Sequence, residues 1–378
     1  MVIYLVIFSI SIALLILANG KNDLSKKYII VASLSIPCVL AAIRYNTIGT
    51  DVNVYLSQMT EAAISSNGFS DYMAREWTSY WLVRKVSNYE IGFSILVYLS
   101  AKIIPDVHFV QFVLQVFTVV PIYLAIKSYY EEDCVYALIF GLSVYFLMFY
   151  NYSFNMMRQS IAMSLSLLAF VKYIKKEKVA FLFCTLLSVS FHFSSVIGFI
   201  VCLLYSFCIE SKNEIITICG YKFQSRTVRM IMLVLVAVVG LMCLKNAVAI
   251  LDFLGLTNYI GYINGDLSLK INQIIARLPL LLLVLYMFKN VPQNKNYDFY
   301  IILLIYDILF SQLASINIYA SRISLYFSQF SILYLPQFFL TNKDQKLMIL
   351  LTTSYLLVFW VVFFVIEGVG ETVPFIIG

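Results

Sequence analysis

Apolar runs of about 18 to 20 residues recur along the whole chain, and short turns with charged residues, Asn or Gly separate them. Runs of this length cross the roughly 30 Å of hydrocarbon in a bilayer as helices. The runs lack the alternation of apolar and polar residues that marks membrane strands. Because 62% of the residues are hydrophobic and only 12% are charged, a water-soluble fold is excluded. The pattern predicts an all-α fold, a polytopic transmembrane helix bundle.

Thirteen apolar segments are candidates for membrane crossings, and the segment at 91–104 is the shortest of them. The segments lie near 1–18, 28–43, 91–104, 108–126, 134–150, 156–173, 179–192, 194–209, 229–249, 273–288, 298–318, 323–340 and 347–366. We expect about 12 helices, within a range of 12 to 14, in a single polytopic membrane domain over residues 1–378.

Basic residues in short turns set the expected orientation, because lysine and arginine are retained on the cytoplasmic side. If the lysine-rich turn at 172–178 and its counterparts are cytoplasmic, 16 of the 26 basic residues lie inside and 9 outside, with Lys102 unassigned. This topology needs twelve crossings, both termini outside, and a partial or re-entrant helix at 91–104. If that segment crosses fully, the four lysines of the turn fall outside.

The longest early loop, residues 44–90, is extracytoplasmic in this topology. Two pieces of it, 52–64 and 77–86, have the amphipathic pattern of short helices that lie on a membrane surface. The turns at 151–158 and at His192 fall on the same side. The basic residues expected outside mostly occur singly, as ligand-binding arginines do.

The run Asn155-Met156-Met157-Arg158-Gln159 places polar side chains at the mouth of an apolar helix. Arginine presents a planar fork of donors that matches phosphate oxygens, and a helix N-terminus adds free backbone N–H groups. Asn155 and Gln159 supply neutral donors for phosphate or sugar hydroxyls. Arg158 is therefore a candidate for holding a pyrophosphate. The alternative is an interfacial arginine that only anchors its helix.

His192 is one of two histidines in the chain, and it follows the next apolar run. If both runs span the membrane, His192 and Arg158 emerge on the same side. At that place a histidine is a candidate general base or phosphate donor. A histidine with a purely structural role is the alternative.

Further candidates flank the outer loop. Arg44 ends an apolar run, a Gly-Thr turn and Asp51 follow it, and Tyr55 comes one helical turn later. Glu90 stands at the membrane entry of the 91–104 segment. Both carboxylates are candidate bases. The alternatives are an aspartate that caps the next helix, a snorkelling arginine, and a glutamate favoured by the helix dipole.

Three charged residues stand out in the second half of the chain. Asp307 lies in the middle of an apolar run, where an unpaired carboxylate is costly, so we expect it to face the protein interior with a partner. Arg277 and Arg322 add cations near the outer face. A structural ion pair between Asp307 and an arginine, and a role in the chemistry, both fit the sequence.

The sequence contains no G-x-x-x-x-G-K-[ST], G-x-G-x-x-G, H-E-x-x-H or D-x-D motif. Its two histidines are far apart and its seven cysteines form no C-x-x-C pair, so we expect no metal site and no cofactor. The net charge of +6 is spread over many loops, without the basic stripe of a protein that binds nucleic acid. Any glycosyl chemistry would use a lipid-linked donor on the outer face.

At these residues the sequence resembles the EpsG family of polytopic membrane proteins, which is related to the Wzy-type polymerases of bacterial O-antigen and exopolysaccharide. The matching blocks are R-Y-N-T-I-G-T-D-V-N-V-Y (44–55), E-I-G-F (90–93), N-M-M-R-Q-S-I-A (155–162), the lysine turn, and F-H-F-S-S (191–195). Together they cover residues 43–198. After Ser211 the similarity is one of hydropathy, apart from an arginine-aromatic turn at 322–326. Val52 stands where such proteins tend to have an aromatic residue.

The resemblance implies a membrane glycosyltransferase, a polysaccharide polymerase that joins oligosaccharide repeat units carried on undecaprenyl diphosphate. It would act at the outer face of the bacterial plasma (inner) membrane, without a metal or other cofactor. Its expected partners are the lipid-linked oligosaccharide, membrane lipid, and a chain-length regulator and flippase of the same pathway. The implied catalytic residues are Asp51, Glu90, Arg158 and His192, and those implied to bind substrate or diphosphate are Arg44, Tyr55, Asn155, Gln159, Arg277 and Arg322. Which of Asp51, Glu90 and His192 is the base stays open.

Other classes of protein compete with this interpretation. A lipid-linked oligosaccharide flippase should show internal repeats and charged residues in both halves, whereas here the distinctive polar residues gather in the first half. An O-antigen ligase would also use outer arginines and a histidine. A membrane acyltransferase fits less well, because neither histidine begins an H-x-x-x-x-D motif.

Overall fold

The structure is a computed structural model of the chain. It describes residues 1–19, 21–79, 82–130, 135–209, 215–218, 221–243, 268–288, 295–317, 319–341 and 345–378. These residues cluster into two compact units. Unit 1 comprises Met1–Gly198 and Leu356–Gly378, and unit 2 comprises Phe199–Tyr355. The expectation of a single domain over 1–378 stays a prediction.

Unit 1 is built mainly from helices. They are α1 (Val2–Ala18), α2 (Asp23–Ala42), α3 (Ser57–Ser65), α4 (Phe69–Ala74), α5 (Ile91–Ile103), α6 (Val107–Tyr129), α7 (Val135–Met148), α8 (Tyr152–Asn155), α9 (Met157–Ile174) and α10 (Lys178–Phe191). Short π or 3-10 turns lie at Val52–Leu56, Val86–Asn88, Phe193–Ser195, Val361–Ile366 and Val369–Glu371.

Helix α9 is the central helix of unit 1. It packs along α6 and α10, and 14 of its 18 residues are buried. The hydroxyls of Ser164 and Ser166 donate to carbonyl oxygens of the preceding turn, each at 2.8 Å, and so need no other partner. Because protein encloses this helix, it can carry polar residues that a lipid-facing helix could not.

The first part of the loop 44–90 is helical. A π turn at Val52–Leu56 leads directly into α3, which confirms the amphipathic helix predicted at 52–64. The buried side of this segment belongs to a hydrophobic core that includes Val52, Phe93 and Ile161. The loop is therefore a packed part of unit 1.

The helix predicted at 77–86 is wrong. Residues there form an antiparallel hairpin of β1 (Glu76–Ser79) and β2 (Leu82–Lys85), with Trp77 opposite Arg84. Residues 80 and 81, between the strands, lie outside the described residues. A short amphipathic segment does not distinguish helix from strand, and β-branched residues such as Thr78 and Val83 favour the pleated form.

Helix α5 has 13 residues, a length of about 20 Å. This is less than the roughly 30 Å of the hydrocarbon core. The length agrees with the partial or re-entrant helix expected at 91–104. Helix α6 begins only four residues later, at Val107.

The chain continues with helices and a second antiparallel hairpin. The elements are α11 (Val196–Ile209), β3 (Ile215–Ile218), β4 (Tyr221–Gln224), α12 (Ser225–Cys243), α13 (Ile271–Phe288), α14 (Lys295–Ser311), α15 (Leu325–Ser328), α16 (Ser331–Thr341) and α17 (Gln345–Trp360). Turns of 3-10 helix lie at Gln312–Ser315 and Ala320–Ser324. Within unit 2, α14 packs against α12 and α13.

Five of the described helices are long and apolar enough to cross a membrane. They are Asp23–Ala42, Val107–Tyr129, Ser225–Met242, Asn296–Ser315 and Gln345–Ile366. Shorter apolar helices of 10–17 residues lie at Val2–Ala18, Ile91–Ile103, Val135–Met148, Lys178–Phe191, Phe193–Ile209 and Ile271–Met287. The protein is thus a helical, multi-pass membrane protein, and the count of about 12 crossings stays a prediction.

Candidate functional site

The carboxylate of Glu90 binds two of the predicted site residues at once. Nη1 of Arg158 lies 2.5 Å from Oε2, and Nδ1 of His192 lies 2.6 Å from Oε1. The three side chains are only partly buried, with exposed fractions of 22% for Glu90, 26% for Arg158 and 28% for His192. The structure therefore brings three sequence-predicted residues into one accessible group, which we call the Glu90 cluster.

The negative charge on Glu90 determines which atom donates in its hydrogen bond to His192. Burial acts to raise the pKa of Glu90, but the hydrogen bond from His192 and the positive charge of Arg158 outweigh it and bring the pKa to about 2. The ionised carboxylate can only accept hydrogen bonds. The proton between the two side chains therefore belongs to Nδ1 of His192, and Nε2 is the nitrogen left for chemistry.

A close helix crossing brings Glu90 and His192 together. Glu90 precedes α5, and His192 directly follows α10. Near their ends these helices meet at Gly92 and Ser190, where a Cβ on residue 92 would lie 2.8 Å from the carbonyl oxygen of Ser190. That separation is shorter than side-chain carbons tolerate, so the crossing depends on glycine at position 92.

Aromatic rings orient the guanidinium of Arg158. Its Cζ lies 5.3 Å from the ring centre of Tyr55 and 4.9 Å from that of Tyr89. Trp77 of β1 stacks on Tyr89, with ring centres 5.9 Å apart. The sequence predicted Tyr55 but missed Tyr89 and Trp77. The adjacency of Tyr89 to Glu90 in the chain was the one signal available for them.

Asp51 joins the outer loop to the start of α9. Its Oδ2 accepts hydrogen bonds from the Tyr55 hydroxyl and, at 3.2 Å, from the backbone N–H of Met157. The side chain makes no capping hydrogen bond to the turn that follows it in sequence. The interpretation of Asp51 as a cap of the next helix is wrong, because it caps the distant helix that carries Arg158.

Asn155 also binds the outer loop. Its Oδ1 accepts hydrogen bonds from the backbone N–H of Thr50 at 2.8 Å and from the Thr50 hydroxyl at 2.5 Å. Gly49 has a φ of +78°, and a Cβ there would overlap the carbonyl oxygen of Phe154. The Gly-Thr turn thus fits against residues 154 and 155. Gln159, in the first turn of α9, is 6% exposed.

Arg44 lies in the interior of unit 1, next to Phe154. Its side chain is buried, with 2% of the residue exposed, and its Cζ lies 4.1 Å from the ring centre of Phe154. Burial lowers the pKa of Arg44 to about 10, so it stays protonated at neutral pH. Arg44 lines a small cavity of about 10 Å³, the space of one water molecule. The other lining residues are Gln111, Leu114, Gln115, Thr118, Ser153 and Met157.

Unit 2 contains the remaining predicted residues. Nε of Arg277 lies 3.0 Å from Oδ1 of Asp307, and its Nη1 donates to Oε1 of Gln273 at 2.6 Å. The partner expected for Asp307 is therefore Arg277. The guanidinium of Arg322 lies 4.6 Å from the ring centre of Tyr319.

The family model of EpsG matches residues 27–376. The chain belongs to the EpsG family. EpsG proteins are a Wzy-like polymerase family, so membership indicates a glycosyltransferase-like polymerase of polysaccharide synthesis. The EpsG match extends well beyond residues 43–198, where the sequence blocks were found. No curated protein and no solved structure matches the chain significantly.

Proposed function

We propose that this EpsG-family protein polymerises oligosaccharide repeat units carried on undecaprenyl diphosphate, at the outer face of the bacterial plasma membrane. The observation that carries the proposal is the Glu90 cluster, in which one carboxylate binds Arg158 at 2.5 Å and His192 at 2.6 Å. The cluster joins a phosphate-binding cation to a base. Family membership supplies the reaction class.

Arg158 is assigned to the diphosphate of the donor. It lies in the first turn of α9, where backbone N–H groups also favour anions. The rings of Tyr55 and Tyr89 restrict its orientation, while about a quarter of its side chain is exposed. As the bond between the sugar C1 and the phosphate oxygen breaks, charge grows on the diphosphate and the guanidinium stabilises it. This scheme needs no metal.

His192 is assigned as the general base. Its Nε2 takes the proton of the acceptor hydroxyl while that oxygen attacks C1 of the donor sugar. Glu90 accepts the Nδ1–H hydrogen bond, fixes the tautomer and stabilises the imidazolium that forms. The products are a new glycosidic bond and undecaprenyl diphosphate, and the imidazolium then loses its proton to solvent. In this scheme Asp51 holds the helix start and is not the base.

A second lipid diphosphate must also bind, because both substrates are lipid-linked. Arg277 and Arg322 of unit 2 stay predicted diphosphate-binding residues, and Arg277 forms an ion pair with Asp307. Arg44 is buried and contributes its charge to the field of the site without direct contact. The chain crosses the membrane twelve times in this scheme, with the Glu90 cluster outside. Its partners are a chain-length regulator and a flippase of the same pathway.

The test is a gel of the cell's surface polysaccharide after the gene is deleted or Arg158→Ala replaces it. Loss of the ladder with a retained single-repeat band supports the polymerase. Loss of every repeat would instead indicate a lipid-linked oligosaccharide flippase or an O-antigen ligase. The matched control is Arg75→Ala, which removes an arginine of the 44–90 loop whose ion pair with Asp71 is exposed. A full ladder in Arg158→Ala cells that contain the protein would refute the role of Arg158.

A further inference from the structure

Three segments that are far apart in sequence meet beside the Glu90 cluster. They are residues 43–51, which end at Asp51, residues 151–158, which end at Arg158, and residues 372–378. The first two carry site residues and are joined through Asn155 and Met157. The third carries none of the predicted site residues, yet it contacts both of the others.

Segment 372–378 pairs with the chain around Arg44 as a short antiparallel bridge. The backbone N–H of Tyr45 donates to the carbonyl oxygen of Ile376 at 2.8 Å, and that of Gly378 donates to Ile43 at 3.0 Å. Arg44 and Ile377 are the paired residues of the bridge. The backbone of Arg44 is thus held from one side while its guanidinium packs on Phe154 on the other.

Thr372 binds the second segment through a fully buried network. Nδ2 of Asn151 donates to Oγ1 of Thr372 at 2.8 Å, and the Tyr4 hydroxyl donates to the Thr372 carbonyl oxygen at 2.6 Å. Nε1 of Trp360 donates to Oδ1 of Asn151 at 2.9 Å. An indole nitrogen can only donate, so Trp360 fixes which end of the Asn151 amide faces Thr372. All four residues are 0% exposed.

Asn151 stands at the start of the turn that presents the site residues. Its backbone carbonyl accepts from the N–H of Phe154 at 3.2 Å, and Asn155 then receives both hydrogen bonds from Thr50. Asp51 in turn caps Met157 at 3.2 Å. These hydrogen bonds, linked by the peptide bonds between residues 154 and 155 and between residues 50 and 51, therefore connect Thr372 to the first turn of α9.

We propose that Thr372 and Asn151 are positioning residues, which set the geometry of Asp51 and Arg158 without touching substrate. Segment 372–378 then helps to position the site residues. The claim about geometry stands on the contacts alone, and only its effect on catalysis rests on the proposed polymerase function.

The test uses the full chain in nanodiscs. Thr372→Val keeps the shape of the side chain but removes the acceptor for Asn151, so a buried donor loses its partner. We expect amide hydrogen exchange to rise about 10-fold at Thr50 and Met157. In polymerisation assays kcat should fall about 10-fold with little change in KM, because the chemistry is misaligned while the Arg158–Glu90 pair persists.

Two variants serve as controls for this result. Thr372→Ser keeps the hydroxyl and should restore both exchange and kcat. Ser33→Ala removes another fully buried hydroxyl of unit 1, which bonds to Ser11, and should leave exchange at Thr50 and Met157 unchanged. If Thr372→Val does not fold, deletion of residues 376–378 removes the bridge to residues 43–45, and unchanged exchange at Thr50 in that variant would overturn the role of segment 372–378.

Unchanged exchange at Thr50 and Met157 in Thr372→Val would overturn the proposal, whether or not activity falls. A rise in exchange in a protein whose wild type does not polymerise would uphold the positioning role and refute the proposed function.

Discussion

Asp51 accepts a hydrogen bond at 3.2 Å from the backbone N–H of Met157, 106 residues further along the chain. The loop 44–90 thereby caps the helix whose second residue is Arg158. A carboxylate at a helix N-terminus satisfies a free N–H group and meets the positive end of the helix dipole. The orientation of Arg158 is thus coupled to the conformation of the loop.

Replacing Asp51 should destabilise the first turn of α9. Asp51→Ala removes the acceptor for both Met157 and Tyr55, and we expect a loss of about 0.5 to 2 kcal/mol. Asp51→Asn keeps a side-chain oxygen and should lose less. Thermal unfolding of the detergent-purified protein measures both. Equal melting temperatures for Asp51→Ala and the wild type would show that the cap contributes nothing to stability.

The ion pair between Glu90 and Arg158 should show measurable coupling. A double-mutant cycle of Glu90→Gln and Arg158→Met isolates the pair, and we expect about 1 to 3 kcal/mol, as for partly buried hydrogen bonds between charged groups. The exposed pair of Arg75 and Asp71, with side-chain exposures of 43% and 37%, is the control and should show no measurable coupling. Similar values for the two pairs would contradict a special role for Glu90.

The stability that Glu90 contributes should depend on pH. The pKa of Glu90 falls from 4.5 to about 2 on folding, so its stabilising contribution is complete above pH 4.5 and is lost as the pH falls through about 2. The melting-temperature difference between wild type and Glu90→Gln should therefore shrink as the pH falls from about 5 towards 2. A difference that stays constant over that range would contradict the assignment.

His192→Gln should lower kcat by about 10²-fold or more, because the acceptor hydroxyl then has no base to take its proton. Initial rates of both proteins, measured with the lipid-linked repeat unit, provide the comparison. An unchanged kcat in His192→Gln would assign the base to another group.

Gly92→Ala should separate α5 from α10. The added methyl group would lie 2.8 Å from the backbone oxygen of Ser190, and backbone can move away only if the helices shift. We expect a loss of about 1 to 3 kcal/mol together with reduced polymerisation, since Glu90 and His192 move apart. Gly68→Ala is the control, because a Cβ on residue 68 would have no neighbouring atom within 4 Å. Equal stability of the two variants would contradict the close crossing.

In the buried ion pair of Asp307 and Arg277, removal of one charge should destabilise unit 2 more than removal of both. Asp307→Asn leaves Arg277 without its counter-charge and should cost about 3 to 5 kcal/mol. Asp307→Asn combined with Arg277→Gln should recover most of that loss. Thermal unfolding of the three variants tests this, and a double variant less stable than Asp307→Asn would show that the residues act independently.

Sequence reasoning placed Arg158 and His192 on one side of the membrane because the two apolar runs between them form a simple helical hairpin. Helices α9 and α10 of the structure are joined by a short turn at residues 175–177, as the lysine-rich stretch indicated. Local pattern and loop length were sufficient to predict this hairpin. The placement of both residues on one side of the membrane stays a prediction.

The sequence could not show that Glu90 binds Arg158 and His192 or that Asp51 binds Met157, because these partners lie 68, 102 and 106 residues away. Hydropathy does not indicate which residues of two distant segments contact each other. The polar residues Gln111, Gln115 and Thr118 of α6, which line the cavity beside Arg44, were also missed. They are scattered within a strongly apolar run, and only their helical spacing of four and three residues marks a common face.

Unit 1 is discontinuous, since residues 356–378 complete what residues 1–198 begin. The ribosome therefore makes all of unit 2 before the partners of Tyr4 and Asn151 exist. During that interval Tyr4 and Asn151 lack Thr372 and Trp360, the residues to which they bond in the folded unit. Membrane chaperones and proteases consequently have a long window in which to act, and a nascent chain that stalls before residue 356 is exposed to degradation.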